Sequence, residues 1–260
     1  MRILFLGDVV GKVGRIAVHL CLPRLVNKYH VDFVIVNGEN ATHGRGLNES
    51  HYRYLVNAGA DCITLGNHWN GSKDLTDYID GADELVRPLN LIKYSHGQGS
   101  VSFDVNGIEV RVTNMLGQAF MNEVVRQPYE CMNELLKDCS PCIHIVDFHA
   151  DSTSEKAIFA YCFDGRVSAV LGTHTHVQTN DARILEGGTG LVTDVGMCGA
   201  RDGIIGYEKN SVINKMVFGE KGQFAINDNA PMMVNGALMD FDEESYMCTH
   251  IELVNIGVEE

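Results

Sequence analysis

Five short apolar runs, each ending in polar side chains, constrain the fold of this chain more than any other feature. Each run is rich in β-branched residues and almost free of polar groups, which is typical of a strand buried on both faces. In open α/β sheets, binding sites lie outside the carboxyl ends of the strands. The residues that follow the five runs are Asp8, Glu39 with Asn40, Asn67 with His68, His149, and His174 with His176. We therefore predict that these side chains share one edge of a sheet.

The segments between these runs predict the remaining elements. In the first half, helices at about 15–29, 48–58 and 72–79 alternate with strands at 2–7, 32–37 and 61–65, which implies parallel strands with right-handed crossovers. In the middle, a hairpin turn at Asn106-Gly107 joins strands 101–105 and 109–113. Helices near 128–137 and 154–162, the second capped by Ser152 or Thr153, precede strands 142–148 and 167–172.

The last third of the chain is rich in glycine and in β-forming residues. Strands are predicted at 190–194, 211–218, 237–241 and 249–254, and Asn235-Gly236 is a second hairpin-type dipeptide. An α/β first half with a more antiparallel second half predicts two packed sheets covered by helices.

Composition limits the classes of protein to consider. The chain has 260 residues, is 45% hydrophobic and 21% charged, and contains no repeat or Pro/Ser-rich linker, so we predict a single domain over 1–260. A net charge of −14 argues against binding of long nucleic acids, although a metal site could still attract a small phosphorylated substrate. We predict no secretory signal and no membrane span. Eight cysteines, several inside apolar runs, fit free thiols in a reducing cytoplasm.

The pair His174 and His176 points to a metal. In an extended chain, residues two apart face the same side, and imidazole pairs in such loops are typical metal ligands. A dinuclear centre, with two ions about 3.5–4 Å apart, needs about six or seven protein ligands. Glu39 could bridge the two ions. Mixed oxygen and imidazole donors favour Mn, Fe or Zn over Mg or Ca.

Each candidate also has a structural interpretation when it is taken alone. Asp8 and Glu39 could cap loops, Asn40 and Asn67 could be turn residues, and His149 could be a buried core histidine. Their shared position at strand ends favours the metal centre. Outside this set, His43 and Arg45 are candidates to contact a substrate phosphate, with a solvated loop as the alternative. The remaining histidines, interpreted as structural or surface residues, are His19, His30, His51, His96, His144 and His250.

Two further motifs are rejected as functional sites. The glycines of 7–14 follow a strand, but Lys12 precedes Val13 rather than Ser or Thr, so the P-loop pattern fails. Cys139-Ser140-Pro141-Cys142 precedes a strand, whereas a redox pair uses a helix N-terminus, and two free thiols are the better interpretation.

The ordered motifs at Asp8, Gly38-Glu39-Asn40, Gly66-Asn67-His68, His149 and 172–176 resemble those of the calcineurin-like metallophosphoesterases. Segments 7–11, 37–41 and 193–197 resemble the bacterial YmdB-type phosphodiesterase branch more closely. The chain departs from the wider superfamily at Val10, where most members have a histidine, and at Glu39, where most have an aspartate. Trp69 follows the asparagine–histidine pair, where many relatives have an acidic residue.

This resemblance implies a four-layer α/β/β/α sandwich of two mixed sheets flanked by helices. It also implies two divalent or trivalent transition-metal ions, Fe or Mn, with Zn as the alternative. The implied ligands are Asp8, Glu39, Asn40 and His176 for one ion, with Asn40 replacing the missing histidine, and Glu39, Asn67, His149 and His174 for the other.

The implied activity is a phosphodiesterase acting on 2′,3′-cyclic or 3′,5′-cyclic nucleotides, with a metal-bridging hydroxide as nucleophile. His68 would protonate the leaving group or stabilise the phosphoryl oxygens. Three alternatives stay open: a phosphomonoesterase of broad specificity, a non-catalytic regulatory metal-binding protein, and a nucleotide-cofactor oxidoreductase. A homo-oligomer, dimeric or tetrameric, also stays open.

Overall fold

The computed structural model describes residues 1–258, in which two β-sheets pack face to face between helices. The strands are β1 (Arg2–Leu6), β2 (Asp8–Val9), β3 (Phe33–Asn37), β4 (Cys62–Thr64), β5 (Leu85–Val86), β6 (Ser100–Val105), β7 (Ile108–Leu116), β8 (Ile143–His149), β9 (Ala169–Thr173), β10 (Arg183–Ile184), β11 (Gly190–Val192), β12 (Met197–Ala200), β13 (Met232–Phe241) and β14 (Cys248–Val258). The helices are α1 (Gly11–Tyr29), α2 (Glu49–Asn57), α3 (Leu75–Tyr78), α4 (Pro128–Leu135), α5 (Thr153–Cys162) and α6 (Lys209–Met216).

Both sheets are mixed: β1, β3, β4 and β5 of the first sheet are parallel, and so are the four inner strands of the second. The first sheet has the order β2-β12-β13-β1-β3-β4-β5, and β14 pairs with β13. The second has the order β10-β11-β9-β8-β7-β6, and its four inner strands are parallel. Antiparallel pairing is confined to the two edges of the second sheet and, in the first sheet, to the β1, β12 and β14 contacts of β13. Every antiparallel pair except β6–β7 involves a strand of the second half, which is the more antiparallel half, as predicted.

Three apolar cores separate four layers. Phe5 and Ile35 of the first sheet pack between the sheets against Ile145 and Leu171 of the second. On the outer face of the first sheet, α1 and α2 bury side chains such as Leu22 against the strands. On the outer face of the second sheet, α4 and α5 pack their buried residues in the same way. The predicted α/β/β/α sandwich is confirmed.

Several local predictions hold, with shifted boundaries. The Asn106-Gly107 turn joins β6 and β7, and the Ser152 side chain caps α5 by accepting a hydrogen bond from the Glu155 amide. Helix α1 begins at Gly11, earlier than predicted, and Gly11 adopts a φ of +61°, which favours glycine. Helix α3 is shorter than predicted, since it begins only at Leu75 and a 3-10 turn over Ile79–Gly81 follows it.

Two predictions for the last third are wrong. The sequence predicts a strand at 211–218, but α6 covers most of this segment and none of the helix residues is buried. Because the segment lies outside both sheets and lacks a strand partner there, hydrogen bonding within a helix satisfies its backbone groups instead. Asn235-Gly236 forms no turn, since both residues lie inside β13. A Cβ at Gly236 would lie 2.2 Å from the Phe5 carbonyl oxygen of β1, which explains the glycine.

Two further expectations concern the cysteines and the membrane. All eight cysteines are free thiols, including Cys139 and Cys142. Within residues 1–258, none of the helices combines the length and the apolar character that crossing a membrane requires.

The buried His144 on β8 makes the stability of the fold depend on pH. Its Nε2 lies 2.8 Å from Thr113 Oγ1, and burial lowers its pKa from 6.5 to about 3. Between these two values the unfolded chain holds a proton that the folded chain lacks, so this contribution to stability is complete above pH 6.5 and falls as the pH falls.

We therefore expect His144→Gln to lose this pH dependence. As the pH falls from 7 to 5, the unsubstituted protein should lose about 2 kcal/mol of unfolding free energy that His144→Gln does not lose. Urea unfolding of both proteins at the two pH values measures the difference. A stability gap that is equal at both pH values would contradict the assignment.

Candidate metal centre

All eight residues predicted from the strand ends come together at one edge of the sandwich. Asp8 begins β2, with one intervening residue after the end of β1, the pair Glu39 and Asn40 follows β3, and the pair Asn67 and His68 follows β4. These five residues therefore extend from the first sheet. His149 ends β8, and His174 and His176 follow β9, so the three imidazoles extend from the second sheet. The site therefore spans the junction of the two sheets.

One group of donor atoms surrounds His149. Its Nε2 lies 2.8 Å from Asn67 Oδ1, 3.0 Å from His174 Nδ1 and 3.3 Å from Glu39 Oε1. Glu39, His149 and His174 each offer one ligand atom, and these three atoms lie within 4.8 Å of one another. This spacing suits a single ion with mixed nitrogen and oxygen ligands.

A second group surrounds His176. Its Nε2 lies 3.9 Å from Asp8 Oδ1 and 3.1 Å from Asn40 Nδ2, and Asn40 Nδ2 also donates to Glu39 Oε1 at 2.8 Å. Glu39 thus borders both groups, where a bridging carboxylate would have to be.

The Asp8 carboxylate provides a direct test of whether this chain fits a cation. Asp8 is completely buried, and its Oδ1 has no hydrogen-bond partner among the described residues. An unpaired carboxylate oxygen in the protein interior is costly, and bound cations are a usual compensation. Asp8, Glu39 and the three imidazoles together form the donor set that Mn, Fe or Zn prefers. The residues present therefore fit a transition-metal centre.

The structure also shows what stands where most of the superfamily has another histidine. Val10 is buried and offers no donor atom. Asn40 lies in the cluster instead, but its Nδ2 faces His176 while its Oδ1 faces His68 Nδ1 at 2.7 Å. To ligate through oxygen, the Asn40 amide would rotate by about half a turn and exchange these two contacts.

Hydrogen bonds beneath the cluster fix which nitrogen is free in two of the imidazoles, His149 and His176. His149 Nδ1 lies 2.8 Å from Thr173 Oγ1, which itself donates to Asp147 Oδ1 at 2.6 Å. Thr173 therefore accepts the His149 Nδ1 proton and leaves Nε2 as the ligating atom. His176 Nδ1 donates to the Ile205 carbonyl at 2.9 Å, which leaves His176 Nε2 free to ligate. Sequence reasoning missed Asp147, although a carboxylate inside an apolar strand was a signal that could have found it.

The cluster shifts the pKa values of its members. Burial raises the pKa of Asp8 to about 6. Burial disfavours the charge of His149, but Glu39 and Asp8 raise its pKa to about 9, while His149 and His68 hold the pKa of Glu39 below its usual range despite burial. Burial and the charge of His149 lower the pKa of His174 to about 3. Metal ligation needs an unprotonated imidazole, so loading the site would release the proton of His149.

Gly66 is required by the closeness of the backbone to the cluster. A Cβ at this position would lie 2.2 Å from Glu39 Oε2 and 2.5 Å from His149 Nε2. Glycine therefore allows β4 to end against the ligands and to place Asn67 among them.

A cavity of about 350 Å³ opens over the cluster. Its lining residues are Glu39, Asn40, His68, Asp151, His174, Thr175, His176, Ile205 and Tyr207. Ile205 and Tyr207 come from the segment before α6, and no motif in the sequence marked them. The substrate-contact candidates His43 and Arg45 are both exposed and are not among these lining residues, although the charge of Arg45 contributes to the pKa of His68.

His68 is the lining residue best placed for proton transfer. Its amide donates to Glu39 Oε2 at 2.9 Å, and its Nδ1 is engaged by Asn40 Oδ1, so Nε2 is the nitrogen that can reach a substrate. Burial lowers the pKa of His68 and outweighs the opposing effect of Glu39.

Comparison with known families identifies the chain. The sequence pattern of the YmdB-like protein family matches residues 4–254, nearly the whole length. The chain belongs to the YmdB-like family. The resemblance predicted from the strand-end motifs is thereby confirmed.

Individual relatives and solved structures match this YmdB-like chain over almost their full lengths. A 2′,3′-cyclic-nucleotide 2′-phosphodiesterase of Bacillus subtilis (strain 168) is 42% identical over 260 residues, covering 99% of this chain and 97% of the relative. The structure of a novel phosphatase from Mycoplasma pneumoniae superposes with a TM-score of 0.93 at 39% identity, covering 99% of this chain and 93% of the other. A hypothetical protein from Thermus thermophilus gives a TM-score of 0.92 at 36% identity, covering 99% of each chain.

Proposed function

We propose that this chain is a dinuclear-metal-dependent phosphodiesterase that hydrolyses cyclic nucleotides. The observation that carries the proposal is the buried, unpaired Asp8 oxygen beside three imidazoles and Glu39 at the floor of an open cavity. Membership of the YmdB-like family supports a phosphoesterase hydrolase, and the relative named as a 2′,3′-cyclic-nucleotide 2′-phosphodiesterase makes that substrate class the first choice. 3′,5′-Cyclic nucleotides are the second.

The residues divide naturally between two ions. Asn67, His149 and His174 would hold one, Asp8, Asn40 and His176 the other, and Glu39 would bridge them. When bound, such ions lower the pKa of coordinated water to near neutrality and neutralise phosphate oxygens.

His68 would complete the chemistry from the protein side. Once the Asn40 amide is turned to ligate through its oxygen, its Nδ2 would donate to His68 Nδ1, so Nε2 would carry the ring proton and could present it to the leaving oxygen of a phosphodiester in the cavity. A proton donated there lets the alkoxide depart as an alcohol, and this is the usual contribution of a general acid.

The cavity suits a single nucleotide better than a polymer. Its volume of about 350 Å³ is at the lower end of small-molecule sites, and the net charge of −14 would repel a long polyanion. Tyr207 and Ile205 form an apolar wall, and Phe224 backs the Tyr207 ring at 5.5 Å. We propose that a nucleobase stacks on this wall.

We expect Tyr207→Ala to raise KM for a 2′,3′-cyclic nucleotide about tenfold with little change in kcat, since stacking on an aromatic ring contributes about 1–3 kcal/mol per base. Tyr207→Phe, which keeps the ring, is the matched control. Steady-state kinetics on the nucleotide and on a cyclic ribose phosphate without a base would measure the effect. An equal rise in KM for both substrates would contradict stacking.

A metal-reconstitution assay tests the function itself. Protein stripped with a chelator is reloaded with Mn²⁺ or Fe²⁺, its metal content is measured, and it is assayed on 2′,3′-cyclic AMP, 3′,5′-cyclic AMP, bis-p-nitrophenyl phosphate and p-nitrophenyl phosphate. We expect two ions per chain and metal-dependent turnover that is fastest on a cyclic nucleotide. Fastest turnover of p-nitrophenyl phosphate would indicate a phosphomonoesterase. Two bound ions without turnover would indicate a regulatory metal-binding protein, and bound dinucleotide without metal an oxidoreductase.

A further inference from the structure

A buried ion pair lies beneath the histidine loop and takes no part in the mechanism above. Lys156 of α5 and Asp194 after β11 each have side chains only 1% exposed, and Lys156 Nζ lies 2.8 Å from Asp194 Oδ2. Burying two charges is costly, and replacing such a pair by apolar residues often leaves stability unchanged or improves it. Stability alone is therefore a weak explanation for this pair.

The Asp194 carboxylate holds the loop that carries two of the proposed ligands. Its Oδ2 accepts the backbone N–H of Thr175 at 3.0 Å. Thr175 lies between His174, with a φ of +108°, and His176, with a φ of +64°. Such backbone conformations cost about 1–3 kcal/mol each in residues other than glycine, and they persist only where the surroundings enforce them.

The other oxygen of the same carboxylate reaches the loop that carries Asp8. Asp194 Oδ1 accepts the N–H of Gly196 at 2.9 Å, and the Gly196 carbonyl accepts the N–H of Asp8 at 3.1 Å. A Cβ at Gly7 would lie 1.9 Å from the Gly196 oxygen, so the two segments are in close contact. One side chain thus ties the backbone of Asp8 to the backbone between His174 and His176.

We propose that Asp194 and Lys156 are positioning residues that set the spacing between Asp8 and His176, the carboxylate ligand and the imidazole ligand of one proposed ion. Lys156 supplies the positive charge that the buried carboxylate needs, and its stem packs against the end of β9, where a Cβ at Gly172 would lie 2.7 Å from Lys156 Cδ. This inference rests on the proposed dinuclear centre.

The key variants separate positioning from charge balance. Asp194→Asn keeps the shape but has only one acceptor oxygen, so the N–H of either Thr175 or Gly196 loses its acceptor and the tie between the two loops is broken. Because that variant leaves the Lys156 charge unpaired, the double variant Asp194→Asn/Lys156→Met removes the charge as well. Asp240→Asn, which breaks the more exposed Arg2–Asp240 pair at the far end of β1, is the matched control.

Metal content and metal affinity are measured for each chelator-stripped protein by elemental analysis and Mn²⁺ titration, and Tm is measured alongside. We expect Asp194→Asn to bind one of its two ions at least about tenfold more weakly, as loss of a supporting contact behind a ligand typically does. The double variant should recover Tm but not the lost affinity, and Asp240→Asn should bind both ions normally.

Two results would overturn the positioning role while leaving the proposed function intact. One is wild-type affinity for both ions in Asp194→Asn and in the double variant. The other is an affinity that recovers together with Tm in the double variant. That result would show that the unpaired charge of Lys156, and not the lost contact, weakened metal binding. Failure of the unsubstituted protein to bind two ions would refute the proposed function and this inference with it.

Discussion

Replacement of Glu39 by glutamine is expected to abolish binding of both metal ions and to lower phosphodiesterase turnover by about a thousandfold or more. Glu39 is completely buried, and its carboxylate borders both donor groups, 3.3 Å from His149 Nε2 and 2.8 Å from Asn40 Nδ2. Glutamine keeps the shape but removes the negative charge that two cations would share. A loss of about 4 kcal/mol of transition-state stabilisation corresponds to that factor.

Elemental analysis and initial rates on a cyclic nucleotide test this expectation together. Glu109→Gln is the matched control, because Glu109 lies on β7, outside the cluster, and pairs with Arg111. Retention of two tightly bound ions in Glu39→Gln would remove Glu39 from the bridging position.

Replacement of His68 by alanine is expected to have the opposite pattern, with two ions retained and turnover lowered by about 10²- to 10⁴-fold. His68 lines the cavity and is not itself a proposed ligand. Its contact to Glu39 Oε2 comes from the backbone N–H, which alanine keeps, so only the side-chain contact to Asn40 Oδ1 is lost. Its loss therefore removes a proton donor without removing a ligand.

The choice of substrate distinguishes the two roles open to His68. A general acid matters most when the leaving group is a sugar alkoxide and little when it is p-nitrophenolate, so the loss should be much larger on a cyclic nucleotide than on bis-p-nitrophenyl phosphate. Equal losses on both would favour stabilisation of the phosphoryl oxygens. His250→Ala, on the exposed edge of β14, is the control, and unchanged turnover in His68→Ala would refute either role.

The sequence predicted the strands and the convergence of the strand-end residues well, because both depend on short-range patterns. A buried parallel strand is an uninterrupted apolar run, and sites in such sheets lie at the carboxyl ends of the strands, so residues such as Asp8 and His149 can be picked out as candidates without a structure. The strand predicted at 211–218 failed because the apolar run there resembles a strand, whereas only the tertiary structure shows that the sheets have no place for it.

The supporting residues were not visible for a different reason. Asp147 reaches Asn37, Thr64 and Thr173 across the two sheets, and Asp194 reaches Lys156 from another element. Each such contact joins residues that are distant in sequence, so no local spacing of residues predicts it. The family resemblance marked segment 193–197 as distinctive, but only the structure assigns Asp194 its partners.

The origin of the ligands from both sheets has a thermodynamic consequence. The first sheet contributes every oxygen donor of the cluster and the second contributes every imidazole of the proposed ligand set, so a loaded centre would cross-link the two halves of the sandwich. Ion binding and cohesion of the sheets would then be linked equilibria, in which each tenfold rise in free metal above Kd adds about 1.4 kcal/mol to the unfolding free energy. In a cell, availability of the metal would thereby change the fraction of chains that is unfolded as well as the proposed activity.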